Sequence, residues 1–253
     1  MKLAANLSLL FTELPYLDRF AAAAKAGFTG AEILFPYDVA ASATQRALIA
    51  NGLDFVLMNA PPPNYTGGDP GFAAVPGGED RFRHDMRRVL RYAGVLRPGL
   101  IHVMTGYTKA EAAFDTCVAN LQWLADTAPR QRFTIEPLNQ GDQPGYFLDD
   151  YALAARLLDA VNRPNVGLQY DSYHAQVIHG DAVHVWQTHC ARVVHVQIGD
   201  APGRTEPGRG TVDFARLFAS IEASGYDGWV SAEYKPTTKR TEMSLEWMRG
   251  VMG

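Results

Sequence analysis

The chain has 253 residues, 47% of them hydrophobic and 20% charged, and its formal net charge is −4 at pH 7. A chain of this length forms one large domain or two small ones and can bury a sizeable core. The acidic balance argues against a nucleic-acid partner, which would favour a basic stripe. A short arginine cluster between positions 81 and 91 spreads over the polar side of a predicted helix, where contact with solvent is expected.

The sequence also argues against a membrane partner and an oxidising compartment. No stretch reaches the roughly 18 consecutive apolar residues of a membrane span, and the first residues lack the long apolar run of a signal peptide. The two cysteines, Cys117 and Cys190, form no CxxC pair, and Cys117 falls on the apolar stripe of a predicted helix, where burial is expected. We therefore expect a cytoplasmic protein.

Short apolar strands alternate with amphipathic helices along the whole chain. Pro15 and Gly27 bound the first helix, and Asp149 and Asp213 are the predicted N-caps of two later helices. The predicted strands are 3–10, 30–36, 53–58, 100–104, 132–136, 166–170, 193–198 and 228–233. The predicted helices are 15–27, 40–51, 79–96, 109–127, 149–158, 183–189, 214–223 and 242–252.

This alternation predicts the architecture. Alternating strands and helices favour a parallel sheet, and eight such units over about 250 residues favour closure into a (β/α)8 TIM barrel. No composition break divides the chain, so residues 1–253 are predicted to form a single domain. The main alternative, a doubly wound open sheet, requires a Gly-rich turn after the first strand, and Asn6-Leu7-Ser8-Leu9 does not provide one.

One long loop interrupts the alternation. Residues 59–78, NAPPPNYTGGDPGFAAVPGG, are rich in proline and glycine and follow neither a helical nor a strand period. Long structureless loops within a compact domain are commonly functional or disordered. Because this loop follows the third strand, it lies on the carboxy-terminal face of a barrel, where active sites are built. We predict a rim or lid segment, with an unstructured insertion as the alternative.

Four polar side chains lie at or directly after the ends of the last four predicted strands: Glu136, Asp171, Gln197 and Glu233. Each has an ordinary alternative: a helix cap or salt bridge for Glu136, a turn cap for Asp171, a backbone contact for Gln197 and a pair with Lys235 for Glu233. Their occurrence on consecutive strands instead predicts convergence at one mouth. Three converging carboxylates repel one another unless a cation compensates them, and oxygen ligands with one amide favour Mg²⁺ or Mn²⁺.

The same segments carry a family resemblance. The stretches ANLSLLFTELPYLDRF, LFPYD, IEPLNQ, QYDSYHAQ, HVQIGD followed by EPGRG, and GWVSAEYKP resemble the hydroxypyruvate isomerase family, a branch of the xylose-isomerase-like metal-dependent barrels. The resemblance spans nearly the whole chain. It implies that Glu136, Asp171, Gln197 and Glu233 hold a divalent metal and that the two glutamates are the catalytic pair. It further implies that His174 and Arg204 contact the substrate.

Two related barrel groups differ from this pattern. Relatives that epimerise ketohexoses use His where Gln197 stands, so the glutamine argues against a ketose 3-epimerase. Relatives that cleave DNA at abasic sites use a His-rich zinc cluster, whereas the strand-end ligands here are nearly all oxygen and the net charge is negative.

The expected reaction moves a proton between adjacent carbons of an α-hydroxy carbonyl through an enediolate, interconverting hydroxypyruvate and tartronate semialdehyde. One glutamate removes the proton and the other returns it, and Arg204 is the candidate for binding the substrate carboxylate. A four-carbon 2-oxo acid, a 2-oxo-tetronate, is the nearest alternative; His102 either lines a pocket for it or is a core histidine. A non-catalytic sugar-binding barrel is the alternative from another class. The sequence leaves a homo-oligomer open.

Overall fold

The computed structural model describes residues 1–61 and 70–251. Eight parallel strands close into a barrel in chain order, each pairing with the next and β8 pairing with β1. The strands are β1 Lys2–Asn6, β2 Gly30–Ile33, β3 Asp54–Ala60, β4 Leu100–Val103, β5 Arg132–Ile135, β6 Val166–Asp171, β7 Val193–Ile198 and β8 Trp229–Ala232. The predicted TIM barrel is confirmed. Since all strands are parallel, their carboxy-terminal ends meet at one mouth.

The helices cover the outside of the barrel. They are α1 Asp18–Lys25, α2 Ala41–Ala50, α3 Glu79–Leu96, α4 Ala113–Thr127, α5 Tyr151–Val161, α6 Ser172–His179, α7 Ala182–His189 and α8 Phe214–Ala223. Short 3₁₀ helices occur at Pro36–Asp38, Cys190–Arg192, Thr241–Ser244 and Glu246–Gly250. Within the described ranges, none of the helices combines the length and apolarity needed to cross a membrane.

The apolar residues form two groups. The larger one fills the space between strands and helices and includes Cys117, which is buried as predicted. The smaller one comprises Ala4, Val56, Leu57 and Leu100 from three strands and packs with Val194 and Trp229. It lies towards the amino-terminal ends of the strands, so the mouth at the opposite end is left to polar side chains.

The last predicted helix, 242–252, is wrong. Thr241–Ser244 and Glu246–Gly250 are separate 3₁₀ helices, and Met252 lies outside the described residues. Tertiary hydrogen bonds hold this segment: the backbone N–H of Thr241 donates to Oε1 of Glu13 over 2.7 Å, and its hydroxyl accepts from the backbone N–H of Phe11. These long-range bonds fix the backbone at the start of the segment, which a local helical pattern cannot anticipate.

Two further local predictions need correction. The N-cap of α5 is Asp150 rather than Asp149, because the Asp150 carboxylate accepts from Ala152 and Leu153 while Asp149 accepts from Gln140. Helix α6, which begins directly after β6, was not predicted. By contrast Asp213 caps α8 as predicted.

The predicted rim segment 59–78 is described only in part. Its first two residues, Asn59 and Ala60, belong to β3 instead, and residues 62–69 lie outside the described ranges. Gly71 forms an isolated antiparallel β-bridge with Thr105 and has a backbone φ of +93°. A Cβ on Gly71 would lie 2.1 Å from the carbonyl oxygen of Met104, so only glycine fits this close approach. A lid function for the segment stays a prediction.

Candidate active site at the barrel mouth

The four strand-end side chains lie at the carboxy-terminal mouth. Asp171 is the last residue of β6 and pairs in register with Gln197 of β7, while Glu136 and Glu233 directly follow β5 and β8. All four are at most 4% exposed. Gln169 links two of them, because its Nε2 donates to Glu136 Oε2 over 2.8 Å and to Gln197 Oε1 over 2.7 Å. Barrel closure thus joins residues that are up to 97 positions apart, from Glu136 to Glu233.

Glu136, Asp171 and His174 form the core of the site. One ligand-capable atom from each lies within 4.8 Å of the other two, a spacing at which a divalent ion could be held. The backbone N–H of Asn139 donates to His174 Nδ1 over 3.0 Å. That bond leaves the proton of a neutral His174 on Nε2, which lies 3.8 Å from Asp171 Oδ2 and 4.0 Å from Glu136 Oε1.

Arg204 brings a positive charge to this cluster. Its Nη2 lies 2.8 Å from Asp171 Oδ2 and 3.0 Å from Glu233 Oε2, and its guanidinium lies over the ring of Tyr173 at 5.1 Å from the centroid. The side chain reaches in from the loop after β7, where Arg204 itself has φ +50°. Glu233 therefore pairs with Arg204, whereas the backbone N–H of Lys235 donates to the Arg204 carbonyl.

The loop that carries Arg204 is held by one buried carboxylate. Asp200 accepts hydrogen bonds from the backbone N–H groups of Ala201, Gly208, Gly210 and Val212 at 2.7–3.0 Å. Gly210 approaches so closely that a Cβ would lie 1.9 Å from the Ala201 carbonyl oxygen. The EPGRG segment therefore folds around Asp200, and this arrangement fixes where Arg204 emerges.

The electrostatics of the mouth favour uncharged carboxyl groups. Burial, reinforced by Glu233 and Asp171, raises the pKa of Glu136 well above its usual value. Burial likewise raises the pKa of Glu233 despite Arg204, and it raises the pKa of Asp171 to about 6. Burial lowers the pKa of His174 well below its usual range and that of His102 to about 3, so both imidazoles are neutral at pH 7.

These donors fit a divalent cation. Oε1 of Glu136 is buried without a hydrogen-bond partner among the described residues, a costly state for a carboxylate oxygen in the absence of a compensating charge. The carboxyl pKa values are raised largely because these groups share a buried space, and a divalent ion would reverse that preference. Carboxylate and amide oxygens are suitable ligands for such an ion.

His102 lies at the inner edge of this cluster. It is 1% exposed, and its Nδ1 lies 3.5 Å from Glu136 Oε2. Among the residues that the structure describes, both of its ring nitrogens are buried without a hydrogen-bond partner. A core histidine normally has at least one partner, and contact of this ring with a ligand stays a prediction.

The simpler roles considered for these side chains, such as capping a turn or bonding to backbone, hold only in part. Asp171 does cap the following turn, since its Oδ1 accepts from the Tyr173 N–H, but its Oδ2 faces Arg204. Gln197 contacts side chains, Gln169 and Glu32, rather than backbone. The sequence reasoning missed Gln169 and Glu32. A signal for each was present, because Gln169 lies two residues before Asp171 on the same strand face and Glu32 interrupts the apolar strand GAEI.

Comparison with known proteins agrees with this geometry. The family model described as a xylose isomerase-like TIM barrel matches residues 20–251. The chain is 40% identical to a 2-oxo-tetronate isomerase from Cupriavidus necator, covering 100% of this chain and 99% of the relative. It is 38% identical to the hydroxypyruvate isomerase of Escherichia coli K12, covering 98% of both.

Solved structures extend the comparison. A crystal structure of a protein named AP endonuclease, family 2, from Brucella melitensis has a TM-score of 0.93, 40% identity and 99% coverage of both chains. A D-psicose 3-epimerase from Clostridium cellulolyticum H10 has a TM-score of 0.82 at 17% identity, which shows the shared fold alone. The chain belongs to the xylose isomerase-like TIM barrel family and, within it, is an isomerase related over its full length to hydroxypyruvate and 2-oxo-tetronate isomerases.

Proposed function

We propose that this chain interconverts hydroxypyruvate and tartronate semialdehyde, with residues 1–253 acting as one catalytic domain in the cytoplasm. The observation that carries the proposal is the pair of buried glutamates, Glu136 and Glu233, which follow β5 and β8 at the same mouth as a cluster suited to a metal. Two carboxyl groups at one mouth are suited to remove a proton from a substrate and to return one to it.

The proposed metal is Mg²⁺ or Mn²⁺, held by Glu136, Asp171, Gln197 and Glu233. When bound, it would polarise the substrate carbonyl and stabilise negative charge that develops on the substrate oxygens. His174 lies within the same cluster, so its Nε2–H is placed to donate to a substrate oxygen.

The chain's own groups then account for the proton transfer. One glutamate takes the proton from the hydroxyl-bearing carbon, which yields an enediolate, and the other delivers a proton to the adjacent carbon, while the hydroxyl proton passes to the oxygen of that adjacent carbon. Arg204 is suited to bind the substrate carboxylate because a guanidinium offers two parallel donors to two oxygens. Burial of the mouth excludes water, which strengthens these interactions.

A four-carbon 2-oxo-tetronate is the second candidate substrate. Two observations favour it: relatives at 34–40% identity are named 2-oxo-tetronate isomerases, and the ring nitrogens of His102 have no hydrogen-bond partner within residues 1–61 and 70–251. An additional hydroxyl group on a longer substrate could supply that partner. DNA cleavage has less support despite the name of the Brucella protein, because the net charge is −4 and the candidate metal cluster among the described residues contains a single histidine.

The test measures deuterium incorporation into substrate in deuterated buffer with Mg²⁺, followed by turnover on three-, four- and six-carbon substrates. We expect incorporation with the wild-type chain and a loss of about 100-fold or more in Glu136→Gln and Glu233→Gln, the usual contribution of a general acid or base. Glu222→Gln, an exposed glutamate on α8, is the matched control. No incorporation with wild-type protein, or unchanged incorporation in Glu233→Gln, would contradict the mechanism. Turnover of six-carbon ketoses alone would favour an epimerase, and binding without turnover would favour a sugar-binding barrel.

A further inference from the structure

Glu32 is a buried carboxylate that the proposed reaction does not use. It lies on β2, on the far side of the barrel from Glu136, and is 0% exposed. Three side chains point their nitrogens at it: Asn6 Nδ2 at 2.7 Å, Gln197 Nε2 at 2.5 Å and His195 Nε2 at 2.7 Å. A buried carboxylate costs free energy that a well-packed apolar side chain would not. Its role must therefore lie in what it does for these neighbours.

The contact with Gln197 has a directional consequence. An amide side chain has two similar ends, a donor and an acceptor, and either can face a neighbour. Glu32 Oε1 also accepts from Asn6 Nδ2, so this oxygen faces donor groups and selects the orientation in which Gln197 Nε2 faces it. The Oε1 of Gln197 then points away from Glu32, to where Gln169 Nε2 donates to it over 2.7 Å.

A second set of bonds fixes the other side of this arrangement. The hydroxyl of Thr134 donates to Gln169 Oε1 over 2.8 Å, which leaves Gln169 Nε2 to bond both Glu136 Oε2 and Gln197 Oε1. Two proposed ligand residues are thereby held by one nitrogen. The chain of contacts runs from Thr134 on β5 through β6 and β7 to Glu32 on β2, all of it buried.

We propose that Glu32 is a positioning residue that orients the Gln197 amide so that its oxygen, and not its nitrogen, serves the metal. This inference rests on the proposed function, in which Gln197 is a metal ligand. Without Glu32 only the Gln169 bond would oppose the reversed orientation, in which the amide presents its nitrogen, whose lone pair is delocalised into the carbonyl group and does not bind a cation. Side chains behind metal ligands commonly influence affinity by about 10- to 100-fold.

The test is Mn²⁺ affinity, measured by titration calorimetry in chains whose fold is checked by circular dichroism melting. We expect Glu32→Gln to weaken binding by about tenfold or more, because an amide at position 32 accepts either orientation of Gln197. Asp85→Asn is the matched control: Asp85 is a buried carboxylate on α3 that pairs with Arg81, away from the mouth. It is expected to lower the melting temperature and leave Mn²⁺ affinity unchanged.

A second experiment exchanges the carboxylate and the amide between positions 32 and 197. It keeps the test decisive if Glu32→Gln folds poorly. Gln197→Glu sets two carboxylates against each other, whereas in Glu32→Gln/Gln197→Glu the new amide donates to the new carboxylate. The double variant should bind Mn²⁺ at least about tenfold more tightly than Gln197→Glu alone. Equal affinity of the two, or a Glu32→Gln affinity equal to that of wild type, would overturn the inference. Absence of Mn²⁺ binding by the wild-type chain would instead contradict the proposed metal site itself.

Discussion

The Nη2 atom of Arg204 lies 2.8 Å from Oδ2 of Asp171. The same nitrogen lies 3.0 Å from Glu233 Oε2, so one guanidinium compensates two buried carboxylates on neighbouring sides of the mouth. Burial alone would lower the pKa of Arg204, but these carboxylates raise it above its ordinary value. The permanent positive charge of Arg204 is therefore part of the site and not of the protein surface.

Arg204→Lys should impair substrate binding more than folding. Lysine keeps the charge but loses the planar pair of donors that matches a carboxylate. Loss of a charge-assisted hydrogen bond of about 1.5–3 kcal/mol corresponds to a rise in the KM for hydroxypyruvate of about 10- to 100-fold. Steady-state kinetics measure this. Arg209→Lys, in the same loop but mostly exposed, is the control, and an unchanged KM in Arg204→Lys would argue against its role in binding the substrate carboxylate.

The stability of metal-free protein should depend on Asp171 in a specific pH window. Burial raises the pKa of this carboxyl from 3.8 to about 6. A carboxyl group whose pKa is higher in the folded chain than in the unfolded chain stabilises the fold at pH values below its unfolded-state pKa. This contribution disappears as the pH rises through its folded-state pKa. After chelation, the free energy of unfolding should therefore include a decrease between pH 4 and pH 6 that Asp171→Asn removes. Urea unfolding at several pH values checks this, and the same pH slope in both chains would contradict it.

Divalent metal should stabilise the chain at pH 7. A ligand at about 100 times its Kd adds about 2.7 kcal/mol to the folded state, which for a chain of this size raises Tm by about 5–10 °C. Differential scanning calorimetry with and without Mn²⁺ measures the shift. Glu136→Gln should reduce this shift, because it removes a carboxylate whose Oε1 has no hydrogen-bond partner among the residues that the structure describes. Equal shifts in the variant and in wild type would exclude Glu136 as a ligand.

His102 should influence the choice between substrates of different length. Replacement by leucine keeps the buried position filled and removes both ring nitrogens, which have no hydrogen-bond partner in the described part of the chain. If the ring contacts an additional hydroxyl group, kcat/KM for a four-carbon 2-oxo acid should fall about tenfold, as expected for loss of a hydrogen bond of about 1–1.5 kcal/mol. The value for hydroxypyruvate serves as the internal reference. A parallel loss on both substrates would show that His102 does not discriminate length.

Asp200→Asn should displace Arg204 indirectly, by weakening the hydrogen bonds that hold its loop. The substitution places an NH₂ group among four backbone N–H donors, which leaves buried donors unpaired at a cost of about 1–3 kcal/mol. We expect lower stability in urea together with a higher KM for hydroxypyruvate. Asp213→Asn is the matched control, because asparagine caps a helix about as well as aspartate. A stability loss with unchanged KM would mean that the loop holds Arg204 by other contacts.

The sequence was sufficient to predict the order of the eight strands and the barrel. Strand and helix periods are local properties, so α3, β7 and α8 have the same bounds in the structure as in the prediction. Parallel closure then places every strand end at one mouth, and this is why Glu136, Asp171, Gln197 and Glu233 could be grouped from their spacing alone. The motifs around them carried the family resemblance that the comparisons confirm.

Only the tertiary structure decided which side chains these residues face. The pairing of Glu32 with Gln197 joins positions 165 apart, and the bonds from Thr241 to Glu13 replace the predicted final helix with 3₁₀ helices. Such contacts depend on how opposite walls of the barrel meet, and no period in the chain encodes them. The sequence by itself thus determined which strand ends carry polar side chains. Closure of the barrel decided how those side chains are oriented and how their pKa values are shifted.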